Sequence, residues 1–425
     1  MENLFKLFYQ STGVCTDTRK INTNCLFVCL TGENFNGNTF AEEALQQGAK
    51  FVIVDQKEYQ TKEGIHFVPN ALLYLQQLAN YHRKKFNIPV IGITGSNGKT
   101  STKELLNAVL SMKYTVLATK GNLNNHIGVP LTLLEMNESH EIAIVEMGAN
   151  RFKDIEELCE IAEPNYGIIT NIGKAHLEGF LNFEGVKTTK RELYTAVANA
   201  NGILVYNEDD KILKDILPKG IALSSYGTTK ADLVGTLVNL NPFVELSYQH
   251  GSYTSPTLAT QMIGKYNFYN FLAAISFGIL FDLSYEQINE AISSYTPINN
   301  RSQVKKTANN TLILDCYNAN PTSMKSALES FAMIDHPHKI AIIGDMLELG
   351  EQSDLEHKEI LRLVNEFQLK TFTVGPLFKN ISEEATSFSN RDQALQFLKD
   401  HPLVNALILL KGSRGIGLEI LENNL

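Results

Sequence analysis

The chain has no long run of basic residues, and no apolar stretch in it approaches the length of a bilayer span. The first absence, with a formal net charge of −9 over 425 residues, argues against nucleic acid as a partner. The second argues against a membrane-embedded protein. No cationic, apolar leader of the secretory kind is present, so a cytoplasmic protein is expected. Cysteine is sparse: Cys15, Cys25, Cys29, Cys159 and Cys316 are odd in number and scattered. Cys25 and Cys29 stand four apart, but no second Cys/His pair follows at zinc spacing, so ordinary buried thiols are expected. Fixed-period repeats and low-complexity tracts are absent too. What remains is an ordinary globular composition, 44% apolar, in a chain too long for one hydrophobic core. Two or three domains are expected.

Three blocks separate by pattern. To about Lys85 there are short strands, Cys25–Leu30 and Phe51–Val54, a helical stretch at Phe40–Gln47, and a helix at Ala71–Lys85, with Pro89 near its end as a plausible boundary. A second block runs to about Asn300 with repeated strand–loop–helix units: Val90–Ile93, Ile142–Val145 and Tyr166–Thr170 are its strands. Such alternation predicts an α/β fold with a mostly parallel sheet covered on both faces. The alternating Val, Leu and Tyr of 231–256 predict a small antiparallel addition. Asn267–Phe281 is apolar nearly all round and predicts a buried helix. The third block repeats the strand–turn–helix pattern at Leu312–Asp315, Lys339–Ile343, Thr371–Val374 and Ala406–Leu410.

The strongest chemical signal is 92-GITGSNGKTST-102, between the buried strand Val90–Ile93 and a helix at Ser101–Leu110. A strand, a glycine loop and a helix N-terminus turn several backbone N–H groups toward an anion, and the helix dipole adds to their field. Gly95, Ser96, Asn97, Gly98 and Ser101 are the loop candidates for phosphate. Lys99 would reach the β- and γ-phosphates, and the Thr100 hydroxyl would ligate Mg²⁺. The spacing departs from G-x-x-x-x-G-K-[ST], because Ile93 stands where the first glycine belongs.

In an open α/β sheet ligands lie where strands end, so polar residues there are informative. Glu146 follows Ile142–Val145 directly and is a candidate Mg²⁺ ligand. His176, by itself, reads as a solvated or core histidine, and Lys190, by itself, as a solvated helix lysine. Asp315 ends a strand and opens 315-DCYNANPTS-323, a turn with Pro321 placed to start a helix. It is a candidate ligand for a ribose or for an attacking amine. Lys411 and Arg414, in 411-KGSRG-415, form a candidate pocket for a carboxylate.

Together these strings resemble the Mur ligases, nearly end to end. The likeness rests on 16-TDTRK-20 and 31-TGENFNG-37; on the GITGSNGKT loop, 121-GNLNNHIGVPLTLL-134, 146-EMGAN-150 and 171-NIGKAHLEGF-180; and on DCYNANPTSM, GDMLELGEQSDLEH and KGSRG. The resemblance implies three domains. These are a small N-terminal α/β domain that binds a uridine nucleotide (1–87), a central P-loop ATPase (88–300) and a C-terminal Rossmann-like domain (301–425). It implies the branch of the family that joins D-alanyl-D-alanine to UDP-N-acetylmuramoyl-tripeptide, with ATP and two Mg²⁺, through an acyl phosphate. A monomer is the family expectation. By resemblance His176 and a carbamoylated Lys190 attend the second Mg²⁺, Asn267 and Asn270 lie near adenine, and Arg301 and Asp315 reach the nucleotide from the neighbouring domain. Thr18, Arg19, Asn34 and Gly37 match positions near the uridine diphosphate. Asn318 and Asn320, with Lys411 and Arg414, are placed at the peptide substrate.

The sequence departs from the family pattern at Asp17-Thr18-Arg19, where D-S-R is usual, and at Asn36-Gly37-Asn38, where D-G-H is usual. It also has Gly264-Lys265-Tyr266-Asn267 for G-x-H-N, and Lys153-Asp154-Ile155 where Gly-Glu-Ile is common. Folylpolyglutamate synthase shares the ATPase core, but its phosphate loop lies near its N-terminus. The ligase for the third peptide residue carries D-N-P-R, which is absent here. A non-catalytic nucleotide-binding regulator would have lost Lys99, Glu146, His176 or Lys190, and all four are present.

Overall fold

The computed structural model describes residues 2–174, 177–180, 182–298, 300–382 and 386–425. Among them the strands gather into a four-stranded sheet near the N-terminus, a ten-stranded central sheet, a six-stranded C-terminal sheet and a two-stranded ribbon. The first is wholly parallel, in the order Val14–Cys15, Leu26–Val28, Phe51–Val54, Ile65–Phe67. All five cysteines are buried and free, as their scatter predicts.

In the central sheet Val90–Thr94 lies between Ile142–Glu146 and Tyr166–Ile169, parallel to both. Chain connections leave it in opposite directions, which makes its C-terminal end a topological switch point and opens a crevice there. Val90–Thr94 and Ile142–Glu146 are buried at every position, because helices cover both faces. The antiparallel addition is present and enlarges this same sheet. Leu233–Asn239 pairs antiparallel with Phe243–His250, which pairs in turn with Tyr253–Thr254 and Leu258–Ile263.

The helix Lys265–Leu280 is buried along most of its length, through Phe268, Phe271, Leu272, Ile275 and Phe277, and packs beside the helix Lys99–Leu110. The latter begins two residues earlier than its apolar pattern indicates. Gly98, at φ 80°, turns the chain so that Lys99 enters the first helical turn.

The helix Ala71–Arg83 ends six residues before Pro89, and Arg83 donates to the carbonyls of Ala162 and Phe86. Its Tyr74, Leu75 and Leu78 share one apolar core with Leu26, Val28 and Ile53 of the first sheet and with Val129, Leu133 and Leu158 of the central region. That core joins the first sheet to the second.

In the C-terminal sheet Thr311–Leu314, Leu407–Lys411, Lys339–Gly344 and Lys370–Val374 are parallel neighbours, with Gln303–Lys306 antiparallel at one edge. Asp315 and Lys411 thus emerge side by side, facing the central switch point.

Candidate active site

A cleft of roughly 580 Å³ lies between the C-terminal strand ends of the central and C-terminal sheets. Its central wall carries Ser96 to Ser101, Asn122, Asn124, Glu146, Asn267 and Asn270; its other wall carries Arg301, Asp315, Tyr317, Asn318, Asn320, Lys411 and Arg414. Candidate residues far apart in sequence are brought to one place.

The phosphate loop is shaped by close packing. Gly95 has φ 147°, and a Cβ there would sit 2.0 Å from Thr170 Oγ1. Asn171 grips the loop three times: its carbonyl accepts from Ser96 N at 3.0 Å, its Oδ1 from Asn97 N at 3.0 Å, and its Nδ2 donates to Asn97 O at 2.9 Å. Lys99 Nζ folds onto the loop, donating to Gly95 O at 2.7 Å and Ser96 O at 3.2 Å. Burial pulls the Lys99 ammonium down to about 8; Glu146 opposes the fall and Arg301 adds to it.

Thr100 Oγ1 donates to Glu146 Oε1 at 3.0 Å, and Asn124 Nδ2 donates to the same oxygen at 2.8 Å. Glu146 is 1% exposed, and its Oε2 is buried without a partner. A buried carboxylate oxygen left unpaired beside a threonine hydroxyl fits a hard divalent cation. No cluster of three His, Cys, Asp or Glu side chains that would hold a metal occurs among the described residues.

Lys190 lies behind the loop and off the cleft wall, 2% exposed, donating to Thr94 Oγ1 at 3.2 Å. Burial holds its ammonium well below the ordinary lysine range; the charge of Lys99 adds to this, and Asp154 and Glu192 oppose it. A neutral amine is what carbamate formation requires, so the solvated reading of Lys190 does not hold. His176 falls outside the described residues.

Asn267 and Asn270 are buried and bonded to each other at 2.9 Å. Asn270 Oδ1 also accepts from Thr102 Oγ1 at 3.1 Å, which ties the two long helices together at the cleft. Arg301 stacks on the Tyr317 ring, 3.9 Å from its centroid, with Nε buried and unpartnered. Arg414 approaches the same ring at 5.7 Å. Lys411 is 2% exposed and donates to Asp315 Oδ2 at 2.8 Å and to Asn318 O at 3.3 Å, so it braces the turn from beneath. Asn318 Oδ1 accepts from Ala319 N at 2.9 Å within that turn.

The remaining candidates lie elsewhere. Thr18 and Arg19 begin a short 3-10 turn capped by Asp17, with Arg19 exposed and paired to Asp17 at 2.7 Å. Asn34 is exposed on the ribbon. Gly37 is buried, and a Cβ there would lie 2.4 Å from Leu30 O. None of the four lines the cleft. Asn124, Asn171 and Tyr317 are cleft residues that no local sequence pattern marks. Asparagines and tyrosines in turns are ordinary, and only their convergence marks them.

Fold and site together define an α/β protein with a nucleotide-phosphate loop at a switch point, facing a second sheet across a cleft. Family models match almost the whole chain: "Mur ligase family, catalytic domain" at 10–92, "Mur ligase middle domain" at 93–278 and "Mur ligase, glutamate ligase domain" at 300–414. The chain belongs to the Mur ligase family, and its three-domain α/β architecture is that of the family. It is 35% identical to the UDP-N-acetylmuramoyl-tripeptide–D-alanyl-D-alanine ligase of Bacillus subtilis, over 97% of this chain and 93% of that one. A crystal structure of MurF from Acinetobacter baumannii matches at a TM-score of 0.89 and 28% identity, covering 100% of this chain and 98% of that one. MurF from Thermotoga maritima, solved in complex with ADP, matches at 0.87 and 26% identity, covering 98% and 97%.

Proposed function

We propose that the chain is the ATP-dependent ligase that joins D-alanyl-D-alanine to UDP-N-acetylmuramoyl-tripeptide, a cytoplasmic step of peptidoglycan precursor synthesis. The observation that carries the chemistry is the cleft itself. A phosphate loop, a buried carboxylate with a free oxygen and a set of cations from a second domain converge there. Full-length similarity to relatives of that name carries the choice of substrates.

A carboxylate is a poor acyl donor. In this reading the tripeptide carboxylate oxygen attacks the γ-phosphorus of ATP, the bond to the β,γ-bridging oxygen breaks, and ADP leaves. The amine of the dipeptide then attacks the acyl carbon, loses a proton, and expels phosphate from the tetrahedral intermediate. Phosphoryl transfer of this kind asks for positioning and neutralised charge rather than covalent help. Lys99 and the loop N–H groups hold the phosphates, and Arg301 lies across the cleft with an unpaired Nε to receive one. Thr100 and Glu146 would hold Mg²⁺, which spreads the developing negative charge when bound. Lys190, as a carbamate, and His176 would attend a second ion. Asn267 and Asn270 shape the nucleotide end, and Arg414 is the exposed cation available to a peptide carboxylate. Closure of the C-terminal domain over the cleft would exclude water from the acyl phosphate.

Thr18, Arg19, Asn34 and Gly37 are assigned to the uridine diphosphate. The domain limits are taken as 1–87, 88–300 and 301–425, and the chain as a monomer that binds no nucleic acid. No helix among the described residues is long and apolar enough to cross a membrane. The test is phosphate release with ATP and Mg²⁺, omitting each substrate in turn. Release that persists without D-alanyl-D-alanine or without the UDP-tripeptide would sink the assignment.

A further inference from the structure

The resemblance places Asn320 at the peptide substrate, and its hydrogen bonds give it a further task. It caps the helix Pro321–Met333: its Oδ1 accepts from Ser323 N at 2.9 Å, and Ser323 Oγ in turn accepts from Asn320 N at 3.1 Å. A backbone N–H can only donate, so this bond fixes which end of the Asn320 amide is oxygen. Its Nδ2 then faces the phosphate loop and donates to Asn97 Oδ1 at 2.8 Å. That bond fixes the Asn97 amide in its turn. The oxygen is used, and Nδ2 is left buried without a partner in a residue that lines the cleft. The backbone of Asn97 is meanwhile clamped from the central domain by Asn171 and by Thr170 Oγ1. Only the side chain is free to turn.

We infer that Asn320 is a positioning residue for the nucleotide site: it orients Asn97 so that an N–H donor, rather than a carbonyl oxygen, faces the phosphates. The inference rests on the nucleotide reading of the cleft. Without the contact the Asn97 amide is free to flip, and the flipped form sets an acceptor oxygen against an anion. The donor is therefore presented only while the C-terminal domain is seated on the loop. One ion pair and one close approach lie beside it. Lys174 pairs with Glu356 at 2.7 Å. A Cβ on Gly173 would lie only 3.0 Å from Thr322 Oγ1, and the Gly173 backbone both donates to and accepts from Ser96 Oγ in the loop.

The variant that separates orientation from capping is Asn320→Asp. Aspartate remains a good helix cap, so the thermal midpoint should stay near that of the unaltered chain. Its carboxylate cannot donate to Asn97, so the amide should turn its Nδ2 to Asp and its oxygen to the cleft. Calorimetric titration of the full chain with ADP and Mg²⁺ should show affinity weakened about tenfold or more. Asn97→Ala should weaken ADP binding to a similar extent. In the Asn97→Ala background, the Asp substitution should then have little further effect. An Asn320→Asp protein that binds ADP normally would overturn the inference. So would a loss of equal size in both backgrounds, since that is plain charge repulsion. ADP binding is read without either peptide substrate, so a wrong acyl acceptor would show in the phosphate-release assay and leave this result standing.

Discussion

The N-terminal region and the cleft both contain dense polar clusters, and they differ in what those clusters leave over. Beside the first sheet, Asn38 is fully buried and saturated. Its Nδ2 donates to Asp55 Oδ1 at 2.8 Å, to Asn36 Oδ1 at 3.0 Å and to Thr31 Oγ1 at 3.2 Å, and its Oδ1 accepts from Asp55 N at 2.9 Å. In the cleft Glu146 Oε2, Asn97 Nδ2 and Arg301 Nε are buried with no partner. A saturated cluster is finished structure, whereas unpaired buried atoms cost stability unless something else completes them. Unpartnered buried atoms also occur singly elsewhere, at His66 Nε2 in the first sheet and at Thr189 Oγ1 and Tyr194 Oη, so it is the convergence of three of them on one cleft that points to a ligand, while Asn38 holds the loop 31–38 against the first sheet.

Breaking the cleft, or the buried lysine behind its phosphate loop, should abolish chemistry and leave the fold. Lys190→Ala is expected to nearly abolish turnover with an unchanged circular dichroism spectrum; near-normal phosphate release would remove Lys190 from the mechanism. Glu146→Gln removes the charge but keeps the shape, and should lower kcat by roughly 10²- to 10³-fold, the usual scale for a lost electrostatic contact in the transition state. A fall in thermal midpoint with kcat preserved would make Glu146 structural.

Breaking the saturated cluster should do the opposite. Asn38→Ala takes the partners of Asp55 Oδ1 and Asp55 N, leaving Oδ2 its bond from Ala71 N, and is expected to cost about 1–3 kcal/mol in denaturant unfolding, while ADP affinity stays put. Equal losses in stability and in ADP binding would contradict the division drawn between the two regions.

The charge of Lys99 gives a smaller, pH-dependent test. With its ammonium pulled down to about 8, the free protein carries a largely neutral Lys99 above that pH. Phosphate favours the charged form, so ADP binding near pH 9 should take up a proton and weaken as pH rises from 7 to 9. Calorimetry in buffers of different ionisation enthalpy reads the uptake. The unfolded chain keeps its lysine protonated up to the ordinary value near 10.5, so between about 8 and 10.5 it binds more protons than the native state. This group's contribution to stability therefore rises with pH across that window. Smallest of all, Arg19→Ala should leave the unfolding midpoint unchanged, since Arg19 is 85% exposed, and should raise only the KM for the uridine nucleotide.

Much of this was legible in the chain. Buried strands, the glycine loop and its helix are local patterns, and the motif strings stand at strand ends because open α/β sheets place ligands there. The helix boundaries drifted where a local pattern lost to a particular contact. Gly98 brings the phosphate-loop helix forward to Lys99, and the helix from Ala71 ends at Arg83, two residues short of Lys85, where its last turn tightens to i→i−3 bonds from Lys85 N to His82 O and from Phe86 N to Arg83 O. Lys411 reads as a carboxylate ligand because it is a cation beside glycines; its burial against Asp315, which braces the turn, comes from a strand 96 residues away and no local pattern shows it.

The sequence by itself determined the family, the α/β class and the presence of a phosphate loop, because each depends on the order of neighbouring residues. Tertiary structure alone decided which polar atoms are left unpaired, how far burial lowers Lys99 and Lys190, and which way the Asn97 amide faces. Those properties depend on what lies within a few ångströms, and at this site the nearest atoms come from segments as much as 223 residues apart.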